Sequence, residues 1–316
     1  LEQKNFYNDP AYAKVQADLS KALIRLRKQY KLPGAESLEA IDKATQRQRE
    51  TTLKLRDVKL RQLMQRDEAS APAPQDIDLA QKTFTVGAWG DPNEMLLFME
   101  QGGGTELLRE IYKPYGVYFI GASATGLEAF VSKVPLDGVA DLKGLKLRAP
   151  EGLVQAVFAA AGAAPVNLPG SEVYTSLDKG VIDAADYTVF STNEQQGMHK
   201  VAQHPVYPGF HSMPVLDVSI NQATWDSMGP DLQQILTVSV RDFARQMTSA
   251  LKMADLKAVA AVRARGDVTI HDWPAEERNK FRAIAMTEWK KFSEKSPNAK
   301  KVYEVLTKFL SESGML

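Results

Sequence analysis

Arg148 closes the run GLKLR, with Leu145 and Leu147 before it marking a short apolar strand and Pro150 after it suiting the first position of a helix. This spacing predicts a helix over 151–161, stopped by Gly162, and places Arg148 at a strand-to-helix junction. In parallel α/β sheets such junctions meet anions, because strand ends and helix N-terminal amides converge there. A planar, permanently charged guanidinium grips both oxygens of a carboxylate, which a lysine cannot do in that geometry. The alternative is a surface salt bridge. Asp186 and Tyr187 follow a later apolar strand, and Phe210 and His211 occupy the Pro-Gly turn of YPGFHSMP. Loops from different strands converge at such places, although Tyr187 and Phe210 could equally be core aromatics.

Other chemistries find little support. The chain has no cysteine, which excludes disulfides and thiol catalysis and suits an oxidising compartment. His199, His204, His211 and His271 lack the helical i,i+4 pairing or neighbouring acids of a zinc site, so no metal is expected on them. There is no G-x-S-x-G elbow, and Glu172 with Asp178 reads as a surface pair. Gly102, Gly103 and Gly104 precede a helix without the following Lys-Ser or Lys-Thr of a nucleotide loop. In 316 residues, 39 basic and 39 acidic side chains cancel, giving no general bias toward nucleic acid or anionic membrane. The basic run from Lys43 to Arg66 is interleaved with acids and carries no aromatics, as a solvated helix face would be.

The elements that must hold these residues alternate from 141 to 187. A strand at 145–147 and the helix are followed by a second buried strand at 164–168 and a turn at Pro169-Gly170. Ser171 is placed to cap a helix carrying Val173, Tyr174 and Leu177, and a third strand spans 181–185. Such alternation predicts a parallel sheet. Upstream, strands at 83–86 and 117–120 flank helices at 94–99 and 105–112. Downstream come a strand at 215–220, a helical segment at 221–225 and a helix over 230–265 about 54 Å long. Two further helices begin at Pro274 and Pro297. An amphipathic helix over 8–30 and a charged one over 37–67 precede the linker ASAPAPQ. The first helix is similar in wording to the C-terminal tail of sulfatases, without their catalytic motifs.

The runs GLKLRAPEG, GAAPVNLPGSEVYTSLDKGVIDAADY and YPGFHSMP resemble the DctP-type solute-binding proteins of tripartite ATP-independent periplasmic (TRAP) transporters, a likeness extending from Phe84 onward. The resemblance implies an α/β, type II periplasmic binding fold, with two lobes braced by the long helix, and a binding protein rather than an enzyme. It implies a small organic acid as solute and membrane permease subunits as partners, with homo-oligomerisation open. Arg148 would hold the carboxylate, Tyr187 and Phe210 would pack the carbon skeleton, and Asp186, Glu128 and His211 would read polar substituents. Trp89 is the nearest remaining aromatic to face the solute.

Members often carry Glu-Trp where this chain has Asp186-Tyr187, an amide at the place of Glu128, and, in some keto-acid binders with a cation, a glutamate near Ser212. No cofactor is therefore expected, and a bridging cation is left open. The family's first lobe begins with elements preceding the place of Phe84, so the expectation is an incomplete first lobe plus an N-terminal helical segment. The expected domains are 1–75, a first lobe of 76–127 with 214–316, and a second lobe of 128–213. LEQKNFYNDP has no apolar leader core, so a periplasmic address requires a removed signal peptide. An enzyme using His211 as base, or a scaffold whose charged helices bind a partner, are the competing classes.

Overall fold

The computed structural model describes residues 86–316, all within the second of two contact units, Leu1–Ala71 and Pro72–Leu316. The helices expected over 8–30 and 37–67, the linker and most of the 83–86 strand lie outside the described residues. Val86 forms an isolated antiparallel bridge with Ser212.

Helix α1 (Pro92–Gln101) starts at Asp91, whose side chain accepts from Asn93 N, and α2 (Gly104–Tyr112) follows the glycine run. A Cβ on Gly102 would fall 2.5 Å from the Phe309 ring and one on Gly104 2.7 Å from Met99 Sδ. Two of these three glycines thus admit core side chains rather than a phosphate. Strand β1 (Val117–Ala124) leads to β2 (Ala129–Ser132), and β3 (Lys146–Arg148) precedes α3 (Leu153–Ala160) and β4 (Ala164–Val166). Next come α4 (Val173–Asp178), β5 (Ala184–Thr188), α5 (Phe190–Gln195) and α6 (Met198–Val201). Strand β6 (Val215–Asn221), α7 (Gln222–Asp226), α8 (Pro230–Arg265), α9 (Ala275–Ser293) and α10 (Pro297–Glu312) complete the chain.

Two sheets result. Strands β1 and β6 pair antiparallel, and the second sheet has the order β2-β5-β3-β4, with β3 parallel to both β4 and β5 and β2 antiparallel to β5. The parallel centre matches the expectation, and several local details do not. Pro150 is not in the first helical turn, because Gly152 at φ 103° interrupts the chain before α3 begins. Ser171 lies in a 3-10 turn, Gly170–Glu172, and caps nothing. Strand β4 sits at the sheet edge and is partly exposed rather than buried. The third strand begins three residues later than expected, since Val181 stays 58% exposed beyond the end of α4.

Helix α8 touches both sheets. Val240 packs with Ile120 and Trp225, and Thr248 Oγ1 lies 3.4 Å from Ala124 O at the end of β1. Farther along, Val259 and Val262 pack on Phe190 and Tyr207. Asp255 Oδ1 accepts from Ser191 N at 2.7 Å, capping α5 from another element, since Val189 at its start has no side-chain acceptor. A brace across two lobes is the observed role of this 36-residue helix, in place of two shorter ones.

Candidate functional site

Sheet register puts Arg148, the last residue of β3, opposite Ala185, so Asp186, the next residue of β5, lies beside the arginine. Arg148 Nε donates to Leu168 O at 3.1 Å and Nη1 donates to Asp186 O at 2.7 Å. Two backbone carbonyls thereby fix the guanidinium plane and leave Nη2 without a hydrogen bond among the described residues.

Glu128, Asp186 and His211 converge next to it. All three are buried, and one ligand-type atom from each lies within 4.8 Å of the others. His211 Nε2 donates to Asp186 Oδ1 at 3.1 Å, and its Nδ1 is buried without a partner. Burial pushes the Glu128 carboxyl well above its ordinary value of 4.5, helped by the charge of Asp186 and a hydrogen bond to it, against weaker opposition from Ser212 and Arg148. Its raised value favours the protonated form, in which Glu128 donates to Asp186. Burial also raises Asp186, but His211, the Glu128 hydrogen bond and Arg148 together outweigh it and hold that carboxyl below its ordinary 3.8. Of the two carboxyls, Asp186 is the one held toward its ionised form, and Arg148 is among the groups that favour it.

The aromatics divide. Tyr187 is half-buried against the Val131, Val173 and Leu177 cluster. Phe210 is stacked on Trp273 at 3.7 Å and 6% exposed. Trp89, packed against Phe98 and Phe309, shares with Phe210, Gly87, Leu127, Arg278 and Arg282 a cleft of about 470 Å³. Arg148 does not line that cleft. Charged cluster and aromatic cleft are separate features joined through Leu127-Glu128 and Gly209-Phe210-His211.

Residues not singled out in the sequence hold this junction together. Arg278 donates from Nη1 to Gly209 O at 2.6 Å and from Nη2 to Pro208 O at 2.9 Å. Glu128 N donates to Ser212 O at 2.9 Å. Nothing local marks Arg278, which lies 69 residues from its acceptor Gly209. The expectation that the histidines lack acid neighbours is corrected by the fold: His211 meets Asp186, His199 meets Glu194 at 2.8 Å and His271 meets Asp137 at 2.7 Å.

Residues 91–296 match the family model for bacterial extracellular solute-binding protein, family 7. A monocarboxylate 2-oxoacid-binding periplasmic protein of Nostoc is 37% identical over 140 residues, 44% of this chain and 38% of the relative. The chain thus spans less than half of that relative's length. An apo open TRAP periplasmic solute-binding protein from Rhodobacter sphaeroides superposes with TM-score 0.69 at 55% identity, covering 76% of each chain. One from Pseudoalteromonas atlantica with bound sodium and pyruvate gives 0.63 at 29% identity, over 74% of this chain and 72% of its own. With the match to residues 91–296, the fold and these likenesses, the chain belongs to bacterial extracellular solute-binding protein family 7, whose solved relatives include TRAP periplasmic solute-binding proteins.

Proposed function

We propose that this chain is the extracytoplasmic solute-binding protein of a TRAP-type transporter and captures a small organic acid for delivery to membrane permease subunits. The observation that carries the reading is Arg148, clamped by Leu168 O and Asp186 O at the carboxyl end of a parallel strand with Nη2 left over. That nitrogen binds one oxygen of the solute carboxylate, and His211, Asp186 and Glu128 beside it order polar substituents. Tyr187 supplies apolar surface, and Trp89 with Phe210 borders the adjoining cleft. The lobes divide at 128–213 and 76–127 with 214–316, apart from an N-terminal segment at 1–75, and the site of action is the periplasm.

A 2-oxo monocarboxylate is the solute class favoured, because the Nostoc relative is named for 2-oxoacids and the Pseudoalteromonas relative holds pyruvate. The sodium of the latter finds a poor match here. Sodium-like hard cations take shells of oxygen, whereas this cluster offers two carboxyls already hydrogen-bonded to each other and an imidazole nitrogen. Acid binding is therefore expected to be the same in sodium-free, chelator-treated buffer as in sodium or calcium. An affinity that depends on either cation would contradict this.

A thermal-shift screen across 2-oxo acids, C4-dicarboxylates and sugar acids tests the reading, since a solute at 100 times its dissociation constant stabilises by about 2.7 kcal/mol. Stabilisation by 2-oxo acids, with the acid recovered intact by mass spectrometry, is the expected result. Absence of any shift, or conversion of the acid, would refute the binding-protein reading.

A further inference from the structure

Away from that cluster, three segments meet where the chain returns from α8 to the second sheet. Thr269 N donates to Gln203 O at 2.9 Å, His271 N to Pro205 O at 2.9 Å and Tyr207 N to His271 O at 2.8 Å. This parallel ladder, with Val206 bridged to His271, presents His204 and His271 side by side. His204 Nδ1 lies 3.0 Å from His271 Nε2. The other ring nitrogen of His271, Nδ1, is 2.7 Å from Asp137 Oδ1. Asp137 itself follows Leu136, whose carbonyl accepts from the Trp273 indole at 3.0 Å. Both histidines are thus carried by paired backbone, and the amide of Asp137 is held by the Asp141 carboxylate at 2.7 Å.

Because a carboxylate only accepts, His271 Nδ1 carries the proton toward Asp137, and Nε2 of the neutral ring offers a lone pair toward His204. A carboxylate behind one imidazole nitrogen is the arrangement that orients a metal-ligating histidine. The spacing is that of a hydrogen bond in the metal-free protein, and it also matches one coordination geometry. With metal–nitrogen bonds of about 2.1 Å, nitrogens 3.0 Å apart subtend about 90°, the cis angle of square-planar or octahedral ions. Tetrahedral zinc would need them about 3.4 Å apart.

We propose that His204 and His271, oriented by Asp137, form a binding site for a divalent transition metal with cis geometry, copper(II) or nickel(II), completed by water. Without metal, His204 Nδ1–H donates to His271 Nε2; on binding, that proton moves through solvent to His204 Nε2, and no redox step is involved. Access is through Asp137, whose side chain is 78% exposed, whereas His271 is 9% exposed. The bound ion would pin the strand after α8 to residues 203–207, stiffening the join between the long helix and the second sheet.

The test is calorimetric titration of the untagged, chelator-treated full chain with copper, nickel and zinc chlorides. One equivalent of copper or nickel should bind, nickel more tightly than zinc. His204→Ala and His271→Ala should each lose at least tenfold in affinity, Asp137→Asn about ten- to a hundredfold, and His211→Gln nothing. His204→Gln, which retains a hydrogen-bonding side chain, keeps the test open if the alanine variant does not fold, and it should lose binding equally. Metal affinity unchanged in the His204 and His271 variants, loss in His211→Gln instead, or zinc binding tighter than nickel would each overturn the proposal.

Discussion

An alanine at Gly209 would place its Cβ 1.9 Å from Glu128 O and 2.8 Å from the carbonyl carbon, where ordinary contact begins at 3.4 Å. The two backbones must therefore part by about 1.5 Å. Their freedom to do so is small. Arg278 ties the carbonyls of Pro208 and Gly209, Glu128 N is tied to Ser212 O, and Phe210 is stacked on Trp273. Overpacking of this kind costs about 1–3 kcal/mol, and with backbone on both sides of the clash the upper part of that range applies. At about 2–4 °C per kcal/mol for a body of this size, Gly209→Ala should lower the melting temperature by roughly 5–10 °C. Gly144→Ala is the control: φ is +74° but nothing lies within 4 Å, so only backbone strain of about 1 kcal/mol is expected. Scanning calorimetry on the two variants decides the matter. A Gly209→Ala melting temperature within about 1 °C of wild type, or a larger loss for Gly144→Ala, would refute the close approach of these segments.

Glu128→Gln removes a pH dependence. With its folded value raised, Glu128 contributes stability that is present below about 4.5 and lost as pH rises through the folded value, so the glutamine variant should gain on wild type as pH increases over that window. Parallel stability curves from denaturant unfolding at several pH values would contradict this. Asp186 has the opposite sign: its lowered value contributes stability above about 3.8 that is lost as pH falls through the folded value, and Asp186→Asn should flatten that acid limb. Asp255→Ala strands the amide of Ser191 and should cost about 1–3 kcal/mol by chemical denaturation, with Asp255→Asn recovering part; equal losses in both would show that the cap is not the cause.

Much of the architecture was readable from periodicity and punctuation. Pro230 and the stripe from Leu232 to Ala258 mark the long helix, which runs Pro230–Arg265, and the alternation around Arg148 marks the parallel strands. Apolar character misled where it fell in turns: Val181 and Ile182 read as strand but precede β5. The site was legible in its residue types and not in its pairings. Asp186 and His211 are 25 residues apart, and Asp137 and His271 are 134 apart, so only the sheet register and the crossing of 206–212 over β2 bring them together. The contacts of Phe210 were not legible either: its ring meets Trp273 and Phe281, 63 and 71 residues away, and borders the cleft with Trp89.

The most direct test of the account is calorimetric binding of pyruvate and longer 2-oxo acids to wild type and Arg148→Lys. Lysine keeps the charge and loses the fork held between Leu168 O and Asp186 O. Charge-assisted hydrogen bonds contribute about 1.5–3 kcal/mol each, so the affinity should fall about ten- to a hundredfold, and the melting temperature of the free protein should fall as well because Leu168 O and Asp186 O lose their donor. Wild-type affinity in Arg148→Lys would contradict the central claim that this arginine holds the solute carboxylate.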